Sequence, residues 1–519
     1  MPPSALLAIK NLSISVNDRL LFEGLSLSVR PGEVVALAGG NGCGKSTLLN
    51  LIMSRTGPGR YELSEEAFSV EGHVSIPAGT TVAYVSQVPG DLADSVIKRD
   101  KDWTASRVRL CREFDLTTDD QALDHLSGGE LQKQALVTVL AGEADLYLLD
   151  EPTNYLDITG ITAFEYHVAR LKRNRKGIVL VTHDRALADS FADRTVLISQ
   201  QGIFSTVGGV SAARVLEESS FDSRRARARE IGRKIEQLQA DVRAKAGWSA
   251  VSEKRKIGGG MSRPYYGKLS KKMAARAKAV QRRVDREIEE LARTKPFVPK
   301  KLSLSFPRYK VAHRDVFHLR EVDFAYPPGI STTRDKQDRR VIRKLTFSAT
   351  TRDRYCLMGK NGSGKTTIVK LIEGALAPVS GTVSTNTGVR VASIPQKLDA
   401  FFARPILLDN FRDCGLNESA IRQHLGSVMI RKDKVSEPIE NFSRGELMRA
   451  AVAKCILLRA EFLLLDEPTS NLDIESIEVL EKILNDFQGG FLVITHDRQF
   501  ATNVADELYM VEDAGLCLI

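Results

Sequence analysis

Three sequence blocks occur twice in this chain, in the same order. GGNGCGKST (Gly39–Thr47) returns as GKNGSGKTT (Gly359–Thr367). LYLLDEPTNYLD (Leu146–Asp157) returns as FLLLDEPTSNLD (Phe462–Asp473), and LVTHDR (Leu180–Arg185) returns as VITHDR (Val493–Arg498). Each copy occupies about 200 residues, the size of a full domain. The 519 residues therefore divide into two homologous domains, residues 1–212 and 305–519, with residues 213–304 between them.

The repeated blocks carry chemistry. Each G-x-x-x-x-G-K-[ST] run follows an apolar stretch (VVALAG, RYCLMG) and precedes a helix-like one (STLLNLI, TTIVKLI). That is the strand–loop–helix context of a phosphate-binding loop, or P-loop. Its glycines let backbone N–H groups approach phosphate oxygens, and the helix N-terminus adds positive potential. Gly39, Asn41, Gly42, Gly44, Lys45, Ser46 and Thr47 form one such loop; Gly359, Asn361, Gly362, Gly364, Lys365, Thr366 and Thr367 form the other. Lys45 and Lys365 are expected on the β- and γ-phosphates, and Ser46 and Thr366 on Mg²⁺. LYLLDE and FLLLDE read as buried parallel strands ending in two carboxylates, at the sheet edge where ligands bind in open α/β folds. Asp150 and Asp466 suit Mg²⁺; Glu151 and Glu467 suit polarisation of an attacking water. Between loop and acidic strand lie LSGGELQKQ (Leu126–Gln134) and FSRGELMRA (Phe442–Ala450), each placing a serine and glycine at a helix start, a second anion-binding terminus per domain.

The charge is uneven. Net charge is +9 overall, but Ser219–Lys301 holds 24 Lys or Arg against 9 Asp or Glu, which leaves the remainder at −6. Such asymmetry points to a polyanionic partner at the middle segment. Apolar residues recur at helical spacing through Ile231, Ile235, Leu238 and Val242, and again through Met273, Ala277, Val280, Val284, Ile288 and Leu291. The pattern predicts a helical hairpin: a first helix from about Ala213 to Ala246, a loop over Gly247–Lys268, and a return helix. Lys295, Pro296, Pro299 and Pro307 mark the entry to the second domain. No apolar run approaches the ~20 residues that cross a bilayer, so no membrane contact is expected. The start MPPSALLAIKNL lacks the pattern of a signal peptide, and the six cysteines are scattered without a C-x-x-C pair. Both are consistent with the cytoplasm.

The P-loops, LSGGE (the signature, FSRGE in the second copy), LLDEPT, the NYLD and SNLD that follow (the D-loops), and THDR resemble the motifs of the ATP-binding cassette superfamily. Gln87 (YVSQ) and Gln396 (SIPQ) resemble its glutamine loops. The resemblance covers about four-fifths of the chain. It implies an α/β fold of two P-loop ATP-binding cassette domains joined by a long α-helical hairpin linker. It also implies ATP and Mg²⁺ as ligands, and a head-to-tail pairing of the cassettes within one monomer. One site would then combine Lys45, Gln87, Asp150, Glu151 and His183 with Ser443 and Gly445. The other would combine Lys365, Gln396, Asp466, Glu467 and His496 with Ser127, Gly128 and Gly129. Gln87 and Gln396 would join the metal, and His183 and His496 the γ-phosphate. Tyr326 is placed to stack on adenine; the first copy has no aromatic near Val16. Arg444 departs from the first signature, where Gly128 stands.

Within the superfamily, the tandem cassettes and charged linker are similar to the ABC-F group, whose members act on ribosomes. The linker passage Tyr265–Glu290 resembles that of the group's antibiotic-resistance members. In those, the protein occupies the exit-tRNA site and its hairpin reaches toward the peptidyl-transferase centre. The implied partner is the ribosome, its rRNA and tRNA. The implied task is protection from peptidyl-transferase and exit-tunnel antibiotics. A translation factor relieving stalled ribosomes is the alternative, and the ATPase subunit of a membrane transporter a further one. At the linker tip, Trp248, Lys254, Arg255, Lys256, Arg263, Tyr265 and Tyr266 are the expected RNA or tRNA contacts, through phosphate pairing and base stacking.

Overall fold

The computed structural model describes residues 5–17, 19–56, 68–87, 105–116, 128–199, 201–255, 281–291, 293–294, 306–307, 309–327, 340–398, 401–431, 433–512 and 514–519. Each cassette is built from two sheets. In the first, β1 (Leu7–Val16), β2 (Arg19–Val29) and β4 (Phe68–Ser75) form an antiparallel sheet in the order β2-β1-β4. Strands β3 (Val34–Gly39), β5 (Val82–Val85), β6 (Leu146–Asp150), β7 (Gly177–Val181), β8 (Arg194–Ser199) and β9 (Gly202–Val207) form a six-stranded sheet in the order β5-β6-β7-β3-β8-β9. All its pairs are parallel except the closing β8–β9 hairpin.

The sequence pattern explains the difference between the two sheets. β1 and β2 alternate buried and exposed side chains, because one face meets solvent. β3, β6 and β7 are buried at every position, because both faces are covered. On one face, Leu7, Ile14, Phe22 and Leu48 pack with Leu148 and Val179. On the other, Leu136, Val137, Phe164 and Val168 pack with Leu149 and Leu180.

The second cassette repeats this plan. β10 (Asp315–Ala325), β11 (Arg340–Thr350) and β13 (Ser380–Thr385) pair in the order β11-β10-β13. β12 (Arg354–Gly359), β14 (Val391–Ile394), β15 (Phe462–Asp466), β16 (Gly490–Ile494), β17 (Glu507–Glu512) and β18 (Gly515–Leu518) follow the order β14-β15-β16-β12-β17-β18. In both copies the P-loop leaves one strand and the acid pair ends another, with one strand between them. Residues 1–213 and 302–519 form one compact unit, so the cassettes are packed on each other.

Residues 214–301 form a second unit. The helix entering it runs Val210–Arg255, 46 residues or about 69 Å at ~1.5 Å per residue. This corrects the expected loop start: Gly247, Trp248, Lys254 and Arg255 lie on the helix. One glycine costs a helix about 1 kcal/mol, too little to stop it among the Ala, Glu, Lys and Arg residues of this stretch. Lys256, Arg263, Tyr265 and Tyr266 lie outside the described residues. The return segment is helical over residues 281–291. Ile231, Ile235 and Leu238 on the first helix, and Val284, Ile288 and Leu291 on the second, are half-buried, while Arg227, Arg229, Arg233, Lys234, Arg282, Arg283 and Arg286 are exposed. Among the described residues no helix is long and apolar enough to cross a membrane.

Candidate active site

Each P-loop wraps the start of a helix, Lys45–Ser54 in one cassette and Lys365–Ile372 in the other. Gly39 and Gly359 show why glycine is required. Both have positive φ, and a Cβ would lie 2.4 Å from Ile198 O in one and 2.6 Å from Val511 O in the other. The lysines curl back over their loops. Lys45 Nζ donates to Gly39 O (2.8 Å) and Gly40 O (3.0 Å), and Lys365 Nζ to Gly359 O (2.8 Å) and Lys360 O (2.7 Å). Both are buried, and among the described residues their hydrogen-bond partners are neutral carbonyls, an arrangement that favours an incoming anion. Burial lowers the Lys365 pKa, against the pull of Glu467, Asp157 and Asp466.

The acid pair stands beside the helix start. Thr366 Oγ1 donates to Asp466 Oδ2 at 3.0 Å. Both carboxylate oxygens of Asp150 are buried, with the Ser46 hydroxyl as the neighbouring donor. Burial raises the pKa of Asp150, with Ser46 and Lys45 opposing. Burial likewise raises Asp466, with Thr366 opposing. A hydroxyl beside a carboxylate fits Mg²⁺, which takes few protein ligands and keeps its waters. Among the described residues no cluster of three His, Cys, Asp or Glu forms a closed metal cage. Gln87 is exposed on its loop, whereas Gln396 Nε2 donates to Glu467 Oε2 at 2.8 Å.

Glu151 and Glu467 adopt the same unusual backbone, φ 49° and 48°, in the left-handed region that non-glycine residues rarely enter. Their environments differ. Glu151 is buried; His183 Nε2 lies 3.1 Å from its Oε1, and the His183 N–H donates to its Oε2 at 3.2 Å. Burial pushes Glu151 up to about 8 and His183 down to about 3. Glu467 accepts from Gln396 and from Ser470 Oγ (2.9 Å), with His496 Nε2 at 3.5 Å. Burial works to raise its pKa, but His496, Ser470 and Lys365 overcome it and hold Glu467 down to about 2.

The cassettes meet where two aspartates outside the expected set hold P-loop residues within it. Asp157 caps the helix Ile158–Arg173 by accepting from Gly160 N at 2.9 Å. Its other oxygen accepts from Asn361 N, on the opposite cassette's P-loop, at 3.0 Å. Asp473 mirrors it, capping the helix Ile474–Asp486 through Ser476 N and accepting from Asn41 N, each at 2.9 Å. Each D-loop aspartate therefore ties its own cassette to the other's phosphate loop. The only advance signal was an aspartate at a helix start in NYLD and SNLD.

The second signature follows from this contact. Ser443 caps the helix Arg444–Leu457 in a reciprocal box with Glu446. A Cβ on Gly445 would lie 2.5 Å from Ser476 Oγ. Ser476 in turn bonds Asp473, which holds the first P-loop. In the first cassette, Gly128 and Gly129 open the helix Gly128–Ala141, and a Cβ on Gly129 would meet Tyr155 at 3.3 Å. Ser127 lies outside the described residues. Tyr326 is half-buried beside the second P-loop helix, its hydroxyl 3.1 Å from Thr367 Oγ1 and its ring edge-on to Phe324.

Ion pairs of Arg185 and Arg498 cross the same seam. Arg185, in the first THDR, holds Glu481 through both guanidinium nitrogens, and both side chains are buried. Arg498, in the second, reaches Glu165 Oε1 at 3.3 Å and is 40% exposed. Glu481→Ala should cost about 3–5 kcal/mol by stranding a buried guanidinium. Glu165→Ala should cost no more than about 1 kcal/mol. Thermal unfolding of the two variants checks the difference.

The sequence profile of the family described as "ABC transporter" matches residues 22–154 and 342–470. A Haemophilus influenzae protein named "Probable ATP-binding protein YheS" is 27% identical over 98% of this chain and 79% of its own length. The Bacillus subtilis "Ribosome protection protein VmlR" is 26% identical over 98% of this chain and 87% of its own. The mouse "ATP-binding cassette sub-family F member 3" is 28% identical over 98% of this chain and 71% of its own. Among solved structures, an archaeal ribosome recycling factor in complex with ribosomal stalk protein aligns with TM-score 0.58 at 20% identity, covering 94% of this chain and 84% of that one. The "RNase-L Inhibitor" structure aligns with TM-score 0.58 at 20% identity, covering 98% and 88%. The two structural matches share the fold.

Proposed function

The chain belongs to the ABC transporter family, as a tandem-cassette ATPase of the ABC-F kind, and from that premise we propose that it acts on the ribosome and protects it from antibiotics of the peptidyl-transferase centre and exit tunnel. The observation that carries the reading is the separate unit of residues 214–301, which contains the strongly basic stretch Ser219–Lys301 and joins two ATPase cassettes. A motor paired with a cationic helical element suits a large RNA particle. The similarity to a ribosome protection protein along nearly the whole chain supports the same partner.

In this reading ATP draws the cassettes together, with Lys45 and Lys365 on the phosphates and each signature facing the opposite P-loop. Ser46, Asp150, Thr366 and Asp466 would hold Mg²⁺, which neutralises phosphate charge when bound. Asp157 and Asp473 already bridge the cassettes and report closure from one site to the other. The closed form engages rRNA and tRNA through the linker in the cytoplasm and dislodges the drug. Glu151 and Glu467 orient the attacking water, and hydrolysis opens the cassettes and releases the protein. Expression in a sensitive host, with growth measured against a panel of peptidyl-transferase and exit-tunnel drugs, tests the task. A raised inhibitory concentration for one drug group is expected; a flat profile transfers the reading to a translation factor.

A further inference from the structure

We propose that Arg444 is a positioning residue that links the two ATP sites, joining the first P-loop to the water-orienting Glu467 of the second site. Its guanidinium Nη2 donates to the backbone oxygen of Gln396 at 2.9 Å. Gln396 Nε2 donates to Glu467 Oε2 at 2.8 Å. Arg444 thus holds the glutamine loop that holds the glutamate. Its own backbone opens the second signature helix, next to Gly445, which fits closely against Ser476. Ser476 bonds Asp473, and Asp473 bonds Asn41 of the first P-loop. The contacts run unbroken from Asn41 through Asp473, Ser476, Gly445, Arg444 and Gln396 to Glu467.

Helix stability does not account for the arginine. A cation in the first turn opposes the helix dipole, where an acid would be favoured. The first cassette has no such arm, since Gly128 stands at that position. There a different residue, Gln132, anchors the loop through Ser86 O at 3.0 Å.

The coupling rests on the proposed reading in which Ser443 and Gly445 serve the first site; the hold on Gln396 does not. A double-mutant cycle on ATP turnover tests that hold. In a Glu151→Gln background, where turnover reports the second site, Arg444→Gly should lower kcat about tenfold, the order of one lost charged hydrogen bond, with KM within about twofold. Gln396→Ala should lower it as much or more, and the double variant no further than Gln396→Ala alone. Arg444→Lys, which keeps a cationic donor, should recover most of the loss. Multiplying losses in the double variant, or a loss that tracks a fall in melting temperature and is not rescued by lysine, overturns the proposal. Ser443→Arg, run alongside with Glu151 intact, tests the underlying reading: unchanged turnover removes the signature from the first site. Turnover lost in Ser443→Arg while the cycle is additive removes only the role of Arg444.

Discussion

Glutamine at both Glu151 and Glu467 will lower ATP turnover by about 10²–10⁴-fold, the range expected when a positioned general base is lost. The same variant will stay on ribosomes while ATP is present. Glutamine keeps the volume and one acceptor oxygen of each side chain, so the contact from His183 N can survive. It cannot accept the proton of the attacking water. Both positions sit in the same strained backbone conformation, imposed by the turn between the acidic strand and the D-loop, so the substitution leaves that geometry in place. Cosedimentation with ATP, and with ADP as the control, reads out the trap. A variant that sediments free of ribosomes at low salt in ATP removes the ribosome from the proposed function. A variant that still turns over ATP near the native rate removes both glutamates from the base role.

The two glutamates also show where sequence stops. Identical LLDEPT motifs identify both as candidates, because the strand and the acid pair are local features. What surrounds each is not local. Ser470 donates to Glu467, whereas the matching residue of the first copy is Asn154, whose described contact is a backbone one to Glu151 O. That is one of the two letters by which NYLD and SNLD differ. The P-loops were legible because glycine at Gly39 and Gly359 answers a steric demand of the motif itself. Asp157 and Asp473 each cap a helix, a local role, but their second oxygens act on the other cassette, and spacing along one chain does not encode that. Arg185 and Glu481 are 296 positions apart. Each looks like an ordinary surface charge until the cassettes meet. In the linker, apolar periodicity marks the helix but not its end, because the Ala, Lys and Arg residues around Gly247 outweigh the cost of one glycine.

Removing linker charge should have the largest effect on partner binding. The variant replaces Arg227, Arg229, Arg233, Lys234, Arg282, Arg283 and Arg286, all exposed, with glutamine. Glutamine is nearly as good a helix former as arginine or lysine, so the helices persist. Each lost cation releases fewer counterions from RNA phosphate, so ribosome affinity should fall about 10²–10³-fold at roughly 0.1 M salt, with a shallower dependence of log K on log salt. ATP turnover without ribosomes is the internal control. These side chains lie in the unit of residues 214–301, while both ATP sites lie in the other. A native salt slope with native affinity would make the basic segment a solvated surface and move the ribosome contact to the cassettes. A shallower slope together with lost drug protection and native turnover would show that the cassettes supply the cycle and the linker supplies the grip on RNA.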